Sequence, residues 1–122
     1  MGLTHVAVAV RNAGSNESYT AQFLVDTGAV DSLAPAVELQ RMGIKPSGKR
    51  VYELASGEHV EYEFAWAEFS LLDETITTRI VFGPDNAEPI LGVLALESVG
   101  LVVDPVTNNL KRLDALPLKA VA

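Results

Sequence analysis

Asp26 is the residue around which chemistry can be built in this chain. It stands at the end of an apolar run, Phe23-Leu24-Val25, and directly before Thr27-Gly28-Ala29. A strand-forming segment thus delivers one carboxylate to a glycine turn. Far downstream a second apolar segment, Pro89-Ile90-Leu91-Gly92, again ends on glycine. A lone carboxylate at its ordinary pKa is a poor base for water. Two carboxylates held against each other cannot both ionise, so they share one proton. One then serves as base toward water and the other as acid toward a carbonyl. Thr27 adds a hydroxyl beside the carboxylate. Gly28 lets backbone approach backbone with no side chain between. An Asp-Thr-Gly tripeptide alone reads as an ordinary turn after a strand. The apolar lead-in, Ala29 and the distant Ile-Leu-Gly are what lift it above that.

The elements that must position these residues are mostly strands. Thr4 to Val10 is small and β-branched and reads as a strand; Asn12 to Asn16 is a turn cluster, and Tyr19 to Val25 returns to Asp26. Pro35 to Met42 is the best helix candidate, with Pro35 in its first turn, Ser32 upstream as a cap and Gly43 as its stop. Arg50 to Leu54 and Glu58 to Trp66 form a hairpin around Ala55-Ser56-Gly57. Val60, Tyr62, Phe64 and Trp66 share one face of its second arm; the apolar set then continues on the opposite face with Ala65, Ala67, Phe69 and Leu71, which predicts a bulge or sharp bend near Ala67-Glu68. Leu72 to Thr75 is a turn and Ile76 to Phe82 a further strand. After the loop Gly83 to Ala87 come a short strand at Ile90-Leu91, a helix from Val93 to Val99 stopped by Gly100, and a last hairpin of Leu101-Val103 with Leu110-Leu113.

Composition bounds the function. The 122 residues are read as one domain spanning residues 1–122, with 48% hydrophobic and 20% charged residues, as in a soluble globular protein. A net charge of -7 repels phosphate backbones, which argues against nucleic acid as a partner. The absence of cysteine excludes a thiol nucleophile, a disulfide frame and a cysteine-based zinc site. No stretch reaches the length of a membrane span, and no secretory leader is recognisable at the N-terminus. A cytoplasmic setting with no membrane partner is therefore the expectation.

Together, the Val25-Asp26-Thr27-Gly28-Ala29 run, the hairpin after it and Ile90-Leu91-Gly92 resemble the retropepsin-like aspartic proteases. The resemblance covers roughly Thr4 to Leu113. It implies an all-β fold, a closed barrel or sandwich with a flap hairpin and one or two short helices. In that family one short chain supplies one catalytic Asp and two chains make one active site, so it also implies a homodimer acting on peptide or protein substrates. The activity implied is an aspartic endopeptidase cleaving between apolar residues, with no metal or cofactor. Asp26, Thr27 and Gly28 fall on the catalytic motif. Ala29, Val30 and Asp31 follow on the cleft floor, Leu54, Ala55, Ser56 and Gly57 fall on the flap, and Ile90 falls on the segment beneath the catalytic loop. Retroviral members pair an Asp directly after Asp-Thr-Gly-Ala with an Arg directly after the downstream Gly. Here those positions hold Val30 and Val93, as expected if an apolar contact replaces a buried ion pair. This and the longer Pro35 to Met42 and Leu101 to Leu113 stretches look more like cellular or prokaryotic members.

Two rival readings stand beside this one. The same fold could serve as a non-catalytic peptide-binding or dimerisation module, or Asp-Thr-Gly could be a plain turn in a structural β domain. Other chemistry-bearing residues are weaker. His5 and His59 sit on separate strands without ligand spacing. Ser56 has no evident His-Asp partners. Asp73-Glu74, Asp85-Asn86 and Asp104 read as turn or loop residues.

Overall fold

The computed structural model describes residues 5–118. Within them the elements run β1 (His5–Arg11), β2 (Tyr19–Val25), β3 (Ser32–Pro35), α1 (Ala36–Arg41), β4 (Gly48–Glu53), β5 (His59–Leu71), β6 (Glu74–Gly83), β7 (Ile90–Leu91), α2 (Val93–Ser98), β8 (Leu101–Val103) and β9 (Leu110–Arg112). Thr4, expected to open the first strand, lies outside the described residues.

The strands β1-β2-β7-β3-β6-β5 are bonded in that order, and β1 also pairs with β5, so six strands close into a barrel. Closure leaves no exposed edge on the ring. The expected all-β class and closed barrel with two short helices are both present. Alternation supplies the core. Val6, Val8 and Val10 of β1 point inward with Phe23 and Val25 of β2, and they meet Ala65, Ala67, Phe69 and Leu71 of β5. Phe23 and Phe69 are fully buried and pack edge to face with ring centroids 6.3 Å apart. Outside the ring, β4 pairs with β5 alone, and β8 with β9 forms a separate two-stranded sheet.

Three local expectations are corrected. The bulge near Ala67-Glu68 is not there: β5 pairs with β6 without a break from Phe64↔Val81 to Leu71↔Glu74. The apparent change of phase reflects a change of surroundings along one continuously paired strand. Its first half is paired with β4 beyond the barrel, with Val60, Tyr62 and Phe64 half-buried, while in its second half the opposite face fills the core. Residues 32–35 form a strand, β3, parallel to β6 and antiparallel to β7. Ser32 is therefore not a helix cap; it is buried, and its hydroxyl accepts the Gly92 N–H at 3.0 Å. The cap of α1 comes from a distant loop instead, where Asp85 Oδ1 accepts the Val37 N–H at 3.2 Å.

Candidate functional site

Asp26 follows β2 directly, and the barrel fixes where that strand ends. β2 runs parallel to β7 with Leu24 opposite Ile90 and Val25 opposite Leu91. The Asp26 N–H then donates to Leu91 O at 3.0 Å. The loop closes on itself through the Ala29 N–H to Asp26 O at 3.2 Å, and the Gly28 N–H donates to Asp26 Oδ1 at 2.9 Å, which orients the carboxylate. A Cβ at position 28 would sit 3.3 Å from that same oxygen, so glycine leaves the carboxylate room.

The apolar-apolar-Gly segment has a steric reason. A Cβ at position 92 would come within 2.6 Å of the Asp31 backbone and 2.8 Å of Val30 O. Only glycine allows this approach. It brings the start of α2 against the loop, where the Val93 N–H donates to Ala29 O at 2.8 Å and the Leu94 N–H to Val30 O at 3.1 Å. Residues 26–31 are thus held from beneath almost wholly by backbone hydrogen bonds. Val30 itself stands 60% exposed, so it does not form the buried apolar contact expected in place of an ion pair.

Above this loop lies a cleft of about 750 Å³. Its floor includes Asp26, Gly28, Ala29, Val30, Asp31 and Ile90, and the β4–β5 hairpin overhangs it through Val51 to Ala55. Leu33 and Val81 add apolar wall. Ser56 and Gly57 lie on the hairpin turn, away from the cleft lining. There the Ser56 hydroxyl accepts the Glu58 N–H at 3.3 Å, and Gly57 holds φ +88° while its N–H donates to Leu54 O. Thr27 is exposed and does not line the cleft.

A buried ion pair does exist one residue beyond Val30. Arg79 Nε donates to Asp31 Oδ1 at 3.0 Å, with the two side chains 19% and 3% exposed. The second carboxylate oxygen accepts the Tyr52 hydroxyl at 2.8 Å. Burial, the hydrogen bond to Asp31 and its negative charge together push the Tyr52 hydroxyl up to about 12. Arg79 is paired across the sheet with Trp66, and its guanidinium lies 5.3 Å from that ring centroid. Sequence reasoning named Asp31 but missed Tyr52 and Arg79. A single cation inside the otherwise apolar and β-branched run Ile76 to Phe82 was the available signal for Arg79. The remaining candidates are occupied locally: His5 pairs with Glu88 at 3.1 Å, His59 with Glu53 at 3.2 Å, and Asp104 accepts the Val106 N–H within its own turn.

No protein-family model matches the sequence, and no curated protein matches it. Solved structures do match the fold. The simian foamy virus (mac) protease, known from a solution structure, superposes with a TM-score of 0.54 over 76% of this chain and 91% of its own, at 11% identity. The EIAV protease, solved with the inhibitor HBY-793, gives a TM-score of 0.57 over 79% of this chain and 86% of its own, at 22% identity. The foamy viral protease-reverse transcriptase, solved with an RNA/DNA hybrid, gives 0.59 over 77% of this chain but 11% of that larger one, at 15% identity. The chain has the fold of these viral proteases, the retropepsin fold.

Proposed function

We propose that this chain is a retropepsin-like aspartic endopeptidase of the single-lobe cellular type, active as a C2 homodimer. The observation that carries the proposal is the placement of Asp26. It is the carboxylate of an Asp-Thr-Gly-Ala loop, on the floor of a cleft, beneath an overhanging hairpin. One chain supplies one such carboxylate, and a two-fold axis supplies the second.

The two Asp26 carboxylates share one proton and hold a water between them. The ionised member takes a proton from the water as its oxygen bonds to the peptide carbonyl carbon. The protonated member gives its proton to the carbonyl oxygen. The member now ionised takes a proton from one hydroxyl of the resulting diol as the C–N bond breaks to leave a carboxylic acid, and the amine leaves with the proton held by the other member, which restores the dyad. The hairpin is the flap: its backbone and the cleft floor sandwich an extended peptide, while Ala29, Val30, Leu33, Leu54, Val81 and Ile90 offer apolar surface to alternate side chains. Cleavage between apolar residues follows from that lining. Asp26 needs no metal to act in this way.

Digestion of a proteome-derived peptide library tests the proposal. The expected result is cleavage between apolar residues that disappears in Asp26→Ala. A dimer that binds such peptides without cutting them would instead make the chain a peptide-binding module.

A further inference from the structure

Tyr52 sits on β4, the arm of the hairpin that lies over the cleft. β4 pairs with no strand except β5. Among the described residues, the Tyr52 hydroxyl on Asp31 Oδ2 at 2.8 Å is the one hydrogen bond that joins β4 to anything outside its own hairpin. Between His59 and Glu63, β5 pairs with β4 alone, so the outer part of the hairpin is two-stranded, and two strands alone are marginal in water. The Tyr52 bond is what ties this outer part to the cleft floor.

The receiving carboxylate is unusually well anchored. Asp31 is 3% exposed, and its other oxygen is taken by Arg79 Nε on β6 at 3.0 Å. Arg79 is in turn held over Trp66, and the Tyr52 ring lies tilted against Tyr62 with centroids 6.4 Å apart. Three elements distant in sequence meet here: the loop after Asp26, the hairpin arm and β6. Phenol to carboxylate is a charge-assisted bond, stronger than a neutral one. All three side chains line the cleft, so the connection crosses its wall.

Resting on the reading of the chain as an endopeptidase, we infer that Tyr52, Asp31 and Arg79 form a strut that sets the height of the hairpin arm above the cleft floor. Tyr52 and Asp31 are then positioning residues for substrate binding. Asp31 does not serve as a contact for a cationic substrate side chain, because its side chain is 3% exposed and its charge is already matched by Arg79. The strut pre-orders the arm, so a peptide entering the cleft does not have to order it. Once the peptide is bound the arm is held from both sides, and the chemical step proceeds as before.

Tyr52→Phe keeps the ring and removes the bond. Its KM for a cleaved peptide should rise about tenfold, the worth of one charge-assisted hydrogen bond, with kcat within about twofold. A purely structural loss would lower the active fraction, and so the apparent kcat, while leaving KM alone. Asp31→Leu combined with Tyr52→Phe should bind peptide no more weakly than Asp31→Leu alone, since the two changes remove the same bond. A substrate with Lys facing this wall should bind no better than its Met counterpart. A second readout needs no substrate: in the unliganded protein, amide exchange across residues 48–53 should quicken in Tyr52→Phe while β1 and β2 keep their protection. Unchanged exchange and unchanged KM in Tyr52→Phe would overturn the strut. Wild-type protein that cleaves no peptide would remove the endopeptidase reading, and the exchange measurement would still decide the strut.

Discussion

A carboxylate as deeply buried as Asp31 needs partners, and it has two. Arg79 and the Tyr52 hydroxyl both donate to its carboxylate, and the pair is largely taken out of water. Such a pair adds little net stability, since desolvation offsets most of the attraction, yet removing one member strands the other. Arg79→Ala should accordingly lower unfolding free energy by about 3 kcal/mol, and Asp31→Leu with Arg79→Met should recover most of that loss. Urea unfolding of the three proteins measures both values. A double variant no more stable than Arg79→Ala would mean that Asp31 is not the group stranded. The contrast with Asp26 is instructive. Asp26 has a loop amide on one oxygen and a cleft above it, an arrangement that leaves a carboxylate available for chemistry. Five positions apart, the same side chain meets two surroundings: Asp31 is closed in by its partners, while Asp26 is half-exposed in the cleft lining.

At the scale of elements, the inferred strut ties the hairpin arm to a titratable group, Tyr52. The Tyr52 hydroxyl is raised from 10.0 to about 12 in the folded chain, first by burial and then by Asp31. The folded protein thus keeps a proton that an unfolded chain releases earlier. The stabilisation is whole below pH 10, fades above it, and is gone once pH passes about 12. Urea unfolding of wild type and Tyr52→Phe from neutral pH to about pH 12 should show a constant difference that closes over that upper window. A difference that closes near neutral pH would point to another group. Most of the elements themselves were legible in the sequence. Tyr19 to Val25, Ile90-Leu91 and the last hairpin fall where alternation and turn residues place them, because in each case one short strand has one environment throughout. β5 misled for the opposite reason. It is 13 residues long and crosses from a cleft overhang into a barrel, so its buried face switches while its backbone stays regular. β3 was hidden because Ser32 and Pro35 carry helix-start signals, and only parallel pairing with β6 overrides them. Asp26, Gly28 and Gly92 were readable from local spacing. Tyr52 and Arg79 were not, because their partner is distant along the chain and nothing in either local pattern names it.

For the whole molecule, the decisive quantity is one proposed catalytic carboxylate per chain. Half a dyad has no shared proton and no second acid, so a single subunit should turn over negligibly. Activity per subunit should therefore fall as the protein is diluted through its dimer dissociation constant, in step with the dimer fraction seen by sedimentation. Thr27 is exposed, and in the proposed dimer its hydroxyl would bond the facing loop across the two-fold axis. Thr27→Ala cannot make that bond, so the dilution midpoint should rise by about tenfold. Charge adds a second handle. Each copy carries a net charge of -7, so two copies repel at long range. Salt screens that repulsion, so moderate ionic strength should lower the midpoint in wild type and Thr27→Ala alike. A shift of the same sign in both proteins separates the long-range term from the local hydroxyl. An active monomer that holds its rate at every dilution would contradict the two-chain site, whatever Thr27 does.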